Sequence, residues 1–215
     1  MQLQKPQSAE ATVEGARGDM PVLGLGTWRL NGRECRHAVC HALDVGYAHV
    51  DTAEMYENEE EVGRGIKEAR VDRDSIFLTT KIDSIHRDCT KKRKVQRALE
   101  DSLQRLKTDY VDLYLVHWEN PEQPLEPLLD TMAELKEKGL TRFVGVSNFP
   151  TGRMKRAEKV LGRPPFCNQV EYHPYLSQER LLNLCRERGV ILTAYSPLAQ
   201  GRVTEEETLL EIGNA

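Results

Sequence analysis

The chain has 215 residues, a formal net charge of -4, and 39% hydrophobic against 30% charged residues. This length gives one domain with a substantial core, and the mild acidity excludes a global basic footprint for nucleic acid. No apolar run is long enough to span a bilayer, and the first twenty residues lack the apolar segment of a secretory signal, so a cytoplasmic chain is expected.

Residues 1–19 read as a polar leader or N-terminal hairpin, and residues 20–215 as a single domain. Short apolar, β-branched or aromatic runs then recur near Val22–Gly26, Ala48–Asp51, Ile76–Thr80, Val111–Val116, Phe143–Val146, Cys167–Val170 and Ile191–Ala194. Runs of this kind suit parallel strands buried on both faces. Amphipathic helices alternate with them. Val95, Leu99, Leu103 and Leu106 share one stripe, and Leu125, Leu128, Leu129, Met132 and Leu135 another. Gly46, Gly139, Gly162 and Gly189 each stand where a helix must close before the next strand. The basic run Lys91 to Lys94 opens a helical pattern and reads as a solvated face. The last residues, TEEETLLEIGNA, read as a seventh helix with Thr204 as its cap and Glu207 three residues on. Strand–helix alternation without a change of order predicts an all-parallel sheet, either a barrel or a doubly wound open sheet.

Five cysteines without a CxxC spacing read as free thiols in a reducing compartment, with Cys185 in a core helix. His49, His86 and His173 have no metal-ligand partners at useful spacing, and no metal is expected. GLGTW at Gly24–Trp28 has only two of the glycines of a dinucleotide fingerprint and nothing resembling the rest of it follows, so a Rossmann reading is weak.

The chemistry gathers at the strand ends. Asp51 ends the second strand, Lys81 the third and His117 the fourth; Ser147 and Asn148 follow the fifth, Gln169 and Glu171 the sixth, and Tyr195 the seventh. Barrel enzymes carry their active sites at this end. Tyrosine is a weak acid with a pKa near ~10, and an ammonium at Lys81 lowers it by favouring the phenolate. Asp51 would pair with Lys81, Tyr56 would protonate a carbonyl oxygen, and neutral His117 would polarise the same oxygen. Singly, each residue has a plain reading: an Asp-Thr helix cap, a surface lysine, a core histidine. Together and in order they favour the functional one.

The words carrying these residues are HVDTAEMYENE, FLTTK, YLVHW, VGVSNF and AYSPL. From about Met20 onward the chain resembles the aldo-keto reductases. That resemblance implies a (β/α)8 TIM-barrel, here incomplete, with about seven units present and the eighth strand and helix missing. It implies the tetrad Asp51, Tyr56, Lys81 and His117 and an extended nicotinamide cofactor, NADPH with NADH admissible. Ser147, Asn148 and Gln169 would bind its carboxamide, and Tyr195 would stack on its ring. Ser196 and Leu198 in the same word, and Thr27, would also touch cofactor. Trp28 and Trp118 would wall a pocket for a small carbonyl substrate, with Met55 beside them. The basic loop after an eighth strand, which grips the 2′-phosphate, has no counterpart, so weakened NADPH affinity is expected. Two positions depart from the family pattern: Glu119 stands where proline is common, bringing an acid to the pocket mouth, and Ala48 where a basic residue is frequent. A non-catalytic relative keeping the fold, and a barrel lyase or isomerase, are the rival readings. The sequence carries no signal for oligomeric state.

Overall fold

A computed structural model describes residues 20–213; the leader expected over residues 1–19 lies outside them. Among the described residues, strands and helices alternate as β1 (Leu25–Gly26), α1 (Gly32–Asp44), β2 (His49–Asp51), α2 (Glu59–Glu68), β3 (Phe77–Ile82), α3 (Lys92–Leu106) and β4 (Val111–Val116). They continue as α4 (Leu125–Glu137), β5 (Thr141–Ser147), α5 (Thr151–Leu161), β6 (Cys167–Glu171), α6 (Glu179–Arg188), β7 (Ile191–Tyr195) and α7 (Glu207–Gly213). The seven strands form one parallel sheet in chain order, β1 to β7. This is the strand order of a (β/α)8 barrel, incomplete among the described residues at seven units.

β4 coincides with the expected run and β2, β5, β6 and β7 shift by one or two residues at their ends, whereas β1, β3 and α7 differ in ways that bear on the fold or the site. β1 is only Leu25–Gly26, because these two residues alone pair with Val50 and Asp51 while Val22 is exposed. β3 runs on to Ile82, paired with Val116, so Lys81 lies inside the strand rather than at its end. Thr204 does not cap α7: it sits in a 3₁₀ stretch, Ala199–Glu205, kinked by positive φ at Gln200 and Gly201, and its hydroxyl donates to the Gly201 carbonyl. The glycines expected at helix ends all adopt positive φ, from 62° at Gly189 to 104° at Gly46. At the end of α3, Lys107 takes the same left-handed conformation without being glycine.

Strand alternation divides the core in two. Val50, Leu78, Ile82, Tyr114, Val116, Val144, Val146 and Val170 face the helices, which return the expected α3 and α4 stripes to the same cluster. Phe77, Leu113, Leu115, Cys167 and Ile191 form a second cluster with Phe166 and Phe143 inside the barrel. Phe143 and Phe166 stack with centroids 4.0 Å apart, and Phe77 lies 6.2 Å from each. This aromatic plug fills the end opposite the polar strand ends.

α2 makes close approaches through two glycines. A Cβ at Gly63 would stand 2.5 Å from the Leu106 carbonyl oxygen of α3, and one at Gly65 would stand 2.7 Å from the Arg36 carbonyl oxygen of α1. Asp112 ties three strands at the plugged end. Its buried carboxylate accepts from the Leu78 amide at 2.9 Å, from Arg73 at 2.8 Å and from Arg142 at 2.8 Å. Removing that acceptor strands the buried Leu78 N–H and takes an ion pair from Arg73 and from Arg142. Asp112→Ala is therefore expected to lower unfolding free energy by roughly 3 kcal/mol, read as a shift in urea midpoint at unchanged slope; a shift within error would show that the three donors find other acceptors.

Candidate active site

Lys81 is fully buried inside the barrel. A buried ammonium needs its three N–H groups satisfied, and all three are. Nζ donates to Asp51 Oδ1 at 2.5 Å, to the Thr52 carbonyl at 2.8 Å and to the Tyr56 hydroxyl at 3.2 Å. Asp51 arrives at the end of β2, in register with Thr79 of β3. Tyr56 arrives on a 3₁₀ turn, Glu54–Tyr56, closed by Glu57 in left-handed conformation. Glu54 holds that turn to the next loop, pairing with Arg87 and accepting from the Asp83 amide at 3.1 Å.

The electrostatics are set by burial and pairing together. Burial presses the Lys81 pKa down, but Asp51 and Tyr56 more than offset it, so the ammonium persists. Burial raises the Tyr56 pKa; Lys81 opposes this without overcoming it. The net direction is thus the reverse of that expected from the lysine alone, and Tyr56 is a protonated phenol at neutral pH. His117 follows β4, with its ring edge-on to Tyr56 at a centroid distance of 5.6 Å. Burial, reinforced by Lys81, lowers its pKa to about 4, so the imidazole is neutral. Its Nδ1 is buried without a hydrogen-bond partner among the described residues.

A second set of residues joins this group from β5 to β7. Gln169 donates its amide to Asp51 Oδ2 at 2.7 Å. Ser147 donates its hydroxyl to the Gln169 carbonyl at 2.8 Å. Asn148, held at φ 63°, donates to the His117 carbonyl and to Ser147 Oγ, each at 3.0 Å, and accepts from the Tyr195 hydroxyl at 3.0 Å. The residues expected at the carboxamide are therefore contiguous with the tetrad. Two side-chain amides and a tyrosine ring at one strand-end surface match a flat, amide-bearing ring in chemical type. Thr27 is fully buried and its hydroxyl donates to the Asp51 carbonyl at 3.1 Å. Ser196 has positive φ, and Leu198 is exposed.

Four apolar side chains stand exposed in the loops after four successive strands: Trp28, Met55, Ile85 and Trp118. Ile85 was not singled out from sequence, although an isolated large apolar residue after β3 is a signal of this kind. Arg29 stacks on Trp28, 4.2 Å from the ring, at φ 68°, a conformation costing a non-glycine residue roughly 1–2 kcal/mol. Glu119 does not leave a bare acid at the mouth: it pairs with Arg153 at 2.9 Å.

Three structural supports escaped sequence reading. Ser84 donates its buried hydroxyl to the Trp118 carbonyl. Glu59 accepts from Thr80 at 2.5 Å and from Arg105 at 2.8 Å, behind Lys81. Asn58 is buried and bonded to two loops. Asn58 and Glu59 stand in the word YENE, but an Asn before an acidic helix start reads locally as a cap. Three histidines outside the tetrad bind within the fold: His49 meets Thr79 at 3.0 Å, His86 meets Asp83 at 2.8 Å, and His173 lies 3.4 Å from Glu171. Lys91 and Lys94 pair with Asp88, and Lys92 with Glu134. Among the described residues, no group of three or more His, Cys, Asp or Glu is placed to hold a metal, and no helix is long and apolar enough to cross a membrane.

The chain is similar to known proteins over most of its length. The chain is 44% identical over 185 residues to methylglyoxal reductase DkgA of Yersinia pestis, spanning 85% of this chain and 64% of that relative. An aldo-keto reductase enzyme from a Medee basin deep-sea metagenome library superposes with a TM-score of 0.85 at 36% identity, covering 92% of this chain and 72% of that one. A Bombyx mori aldo-keto reductase solved in complex with NADP gives a TM-score of 0.76 at 35% identity, covering 83% and 63% of the two chains. The family model for the aldo/keto reductase family matches residues 22–214. With that match across nearly its whole length, the chain belongs to the aldo/keto reductase family.

Proposed function

We propose that the chain reduces the carbonyl of a small aldehyde, ketone or keto-sugar to an alcohol, using a nicotinamide dinucleotide, NADPH ahead of NADH. The observation that carries this reading is the buried Lys81 ammonium bonded to both Asp51 and the Tyr56 hydroxyl. The names of related proteins, a methylglyoxal reductase and a reductase in complex with NADP, support substrate class and cofactor. Ser147, Asn148 and Gln169 would hold the carboxamide and Tyr195 the ring face, with Thr27, Ser196 and Leu198 nearby. When bound, the reduced cofactor supplies a hydride.

The chain's own residues supply the proton and the charge control. Tyr56, protonated through burial, donates its hydroxyl proton to the carbonyl oxygen as that oxygen becomes negative. The Lys81 ammonium stabilises the phenolate left behind, and Asp51 keeps the ammonium in place. Neutral His117 donates an N–H to the same oxygen. Nδ1 is enclosed, so we assign Nε2 to this contact. Trp28 and Trp118, with Met55 and Ile85, would flank the substrate with apolar surface. The four buried thiols suit a reducing cytoplasm.

Replacing Tyr56 by Phe removes the acid and little else. Turnover of methylglyoxal with NADPH is expected to fall at least about a hundredfold, while NADPH binding, followed by fluorescence titration of the 215-residue chain, stays the same. Unchanged turnover would remove Tyr56 from the acid role. Saturable cofactor binding with no turnover of any carbonyl in the wild type would favour the non-catalytic reading.

The pH dependence follows from the two titrating groups. Reduction needs protonated Tyr56 and neutral His117. A plot of kcat/KM is therefore expected to be flat between a limb near pH 4 from His117 and an alkaline limb from Tyr56, displaced upward from the ordinary tyrosine range by burial. Lys81 pulls the tyrosine pKa down, so Lys81→Met should move the alkaline limb upward while lowering the plateau. An alkaline limb that stays in place would show that Lys81 does not tune the tyrosine.

A further inference from the structure

Asn58 stands where an N-cap stands, directly before α2, and its carbonyl accepts the Val62 amide as a cap residue's should. Its side chain does not cap the helix. The residue is 3% exposed, and its amide turns away to the loop after β1. Nδ2 donates to the Thr27 carbonyl at 2.8 Å and to the Leu30 carbonyl at 2.9 Å. Oδ1 accepts from the Thr52 hydroxyl at 3.0 Å. Two carbonyl acceptors require the NH₂ group on that side, so the orientation of the amide is fixed by its partners.

These three contacts fall on functional segments. Thr27 and Leu30 bracket the turn carrying Trp28 and Arg29, with the Leu30 amide closing it on the Thr27 carbonyl at 3.1 Å. Arg29 holds that turn at positive φ, so it needs outside support. Thr52 supplies the carbonyl that accepts from Lys81 Nζ. Tyr56 lies two residues before Asn58, across the left-handed Glu57. One buried amide thus links a pocket wall, the lysine's carbonyl partner and the tyrosine turn.

The geometry points to Asn58 as a positioning residue: it sets the distance between the Trp28 wall and the Tyr56–Lys81 pair, and so sets how well a carbonyl substrate is held against its acid. This rests on the reductase reading for its kinetic consequence but not for its structural one. The helix gives up a side-chain cap on α2 to make this link. A cap contributes stability to its own helix, whereas these bonds reach residues 28 and 31 positions away in the chain.

Trp28 and Trp118 are the only tryptophans, so Trp118→Phe leaves Trp28 as a lone reporter. In that background, Asn58→Ala is expected to red-shift Trp28 emission and to raise its quenching by acrylamide. In the otherwise wild-type chain, Asn58→Ala should raise KM for methylglyoxal by roughly tenfold, the scale of losing one to two hydrogen bonds. Asn58→Asp keeps the size but presents only acceptors to the two carbonyls, so it should move emission and KM in the same direction. Thr52→Val frees the amide oxygen alone, is close in shape, and covers the case in which the Asn58 variants do not fold; it should give a smaller change of the same sign. A fall in Tm with Trp28 emission and KM both unchanged would reduce Asn58 to a structural residue and overturn the proposal. Emission that moves in a chain reducing no carbonyl would uphold the link while removing the reductase reading.

Discussion

A cation inside the barrel is the constraint to which the rest of the structure answers. An ammonium taken out of water costs several kcal/mol unless it is paired and hydrogen-bonded. Lys81 meets that demand with one carboxylate, one carbonyl and one phenol. Each partner comes from a different place along the chain: a strand end, the residue after it, and a 3₁₀ turn. The order D-T-x-x-x-Y therefore follows from geometry, since the chain must leave β2, offer a carbonyl, and turn back within five residues. Glu59 and Thr80 brace the lysine's strand from the helix side.

The same alternation that builds the barrel core also builds the candidate site. Inward positions carry aromatic and apolar side chains at one end and ionisable or amide side chains at the other. Phe77, Phe143 and Phe166 stack together at the floor. Low polarity below the site in turn amplifies the interactions above it. The result is a hydrogen-bonded path from Tyr195 through Asn148 and Ser147 to Gln169, Asp51 and Lys81. Residues expected to meet the cofactor and residues expected to move the proton are thereby held in one frame.

Much of this was legible in the sequence, for identifiable reasons. Strands buried on both faces are short apolar runs, and β4 was read to the residue. Polar side chains at successive strand ends pointed to a site, and the structure brings Asp51, Tyr56 and Lys81 into direct contact. What stayed hidden depended on surroundings rather than neighbours. β1 shrank because pairing partners, not hydrophobicity, decide where a strand begins. Thr204 looked like a cap, but a kink at Gln200 and Gly201 uses it elsewhere. The acidity of Tyr56 was read from its charged neighbour, whereas burial proved the larger effect. Asn58 carries a local signature of one role while its side chain serves a distant loop, and no spacing rule reveals that.

The cysteines have a consequence for the company this chain can keep. Cys35, Cys89, Cys167 and Cys185 are buried, and burial pushes their thiols up to between about 11 and about 12. At neutral pH a thiol titrating near 11 exists as thiolate in only about one molecule in ten thousand, and the thiolate is the nucleophile. Small aldehydes and dicarbonyls are electrophiles that scavenge such groups. Those four thiols, withdrawn and protonated, present little nucleophile to such electrophiles, so the packing that stabilises the helices also keeps their sulfur out of that chemistry, while Cys40 stands half-buried on α1.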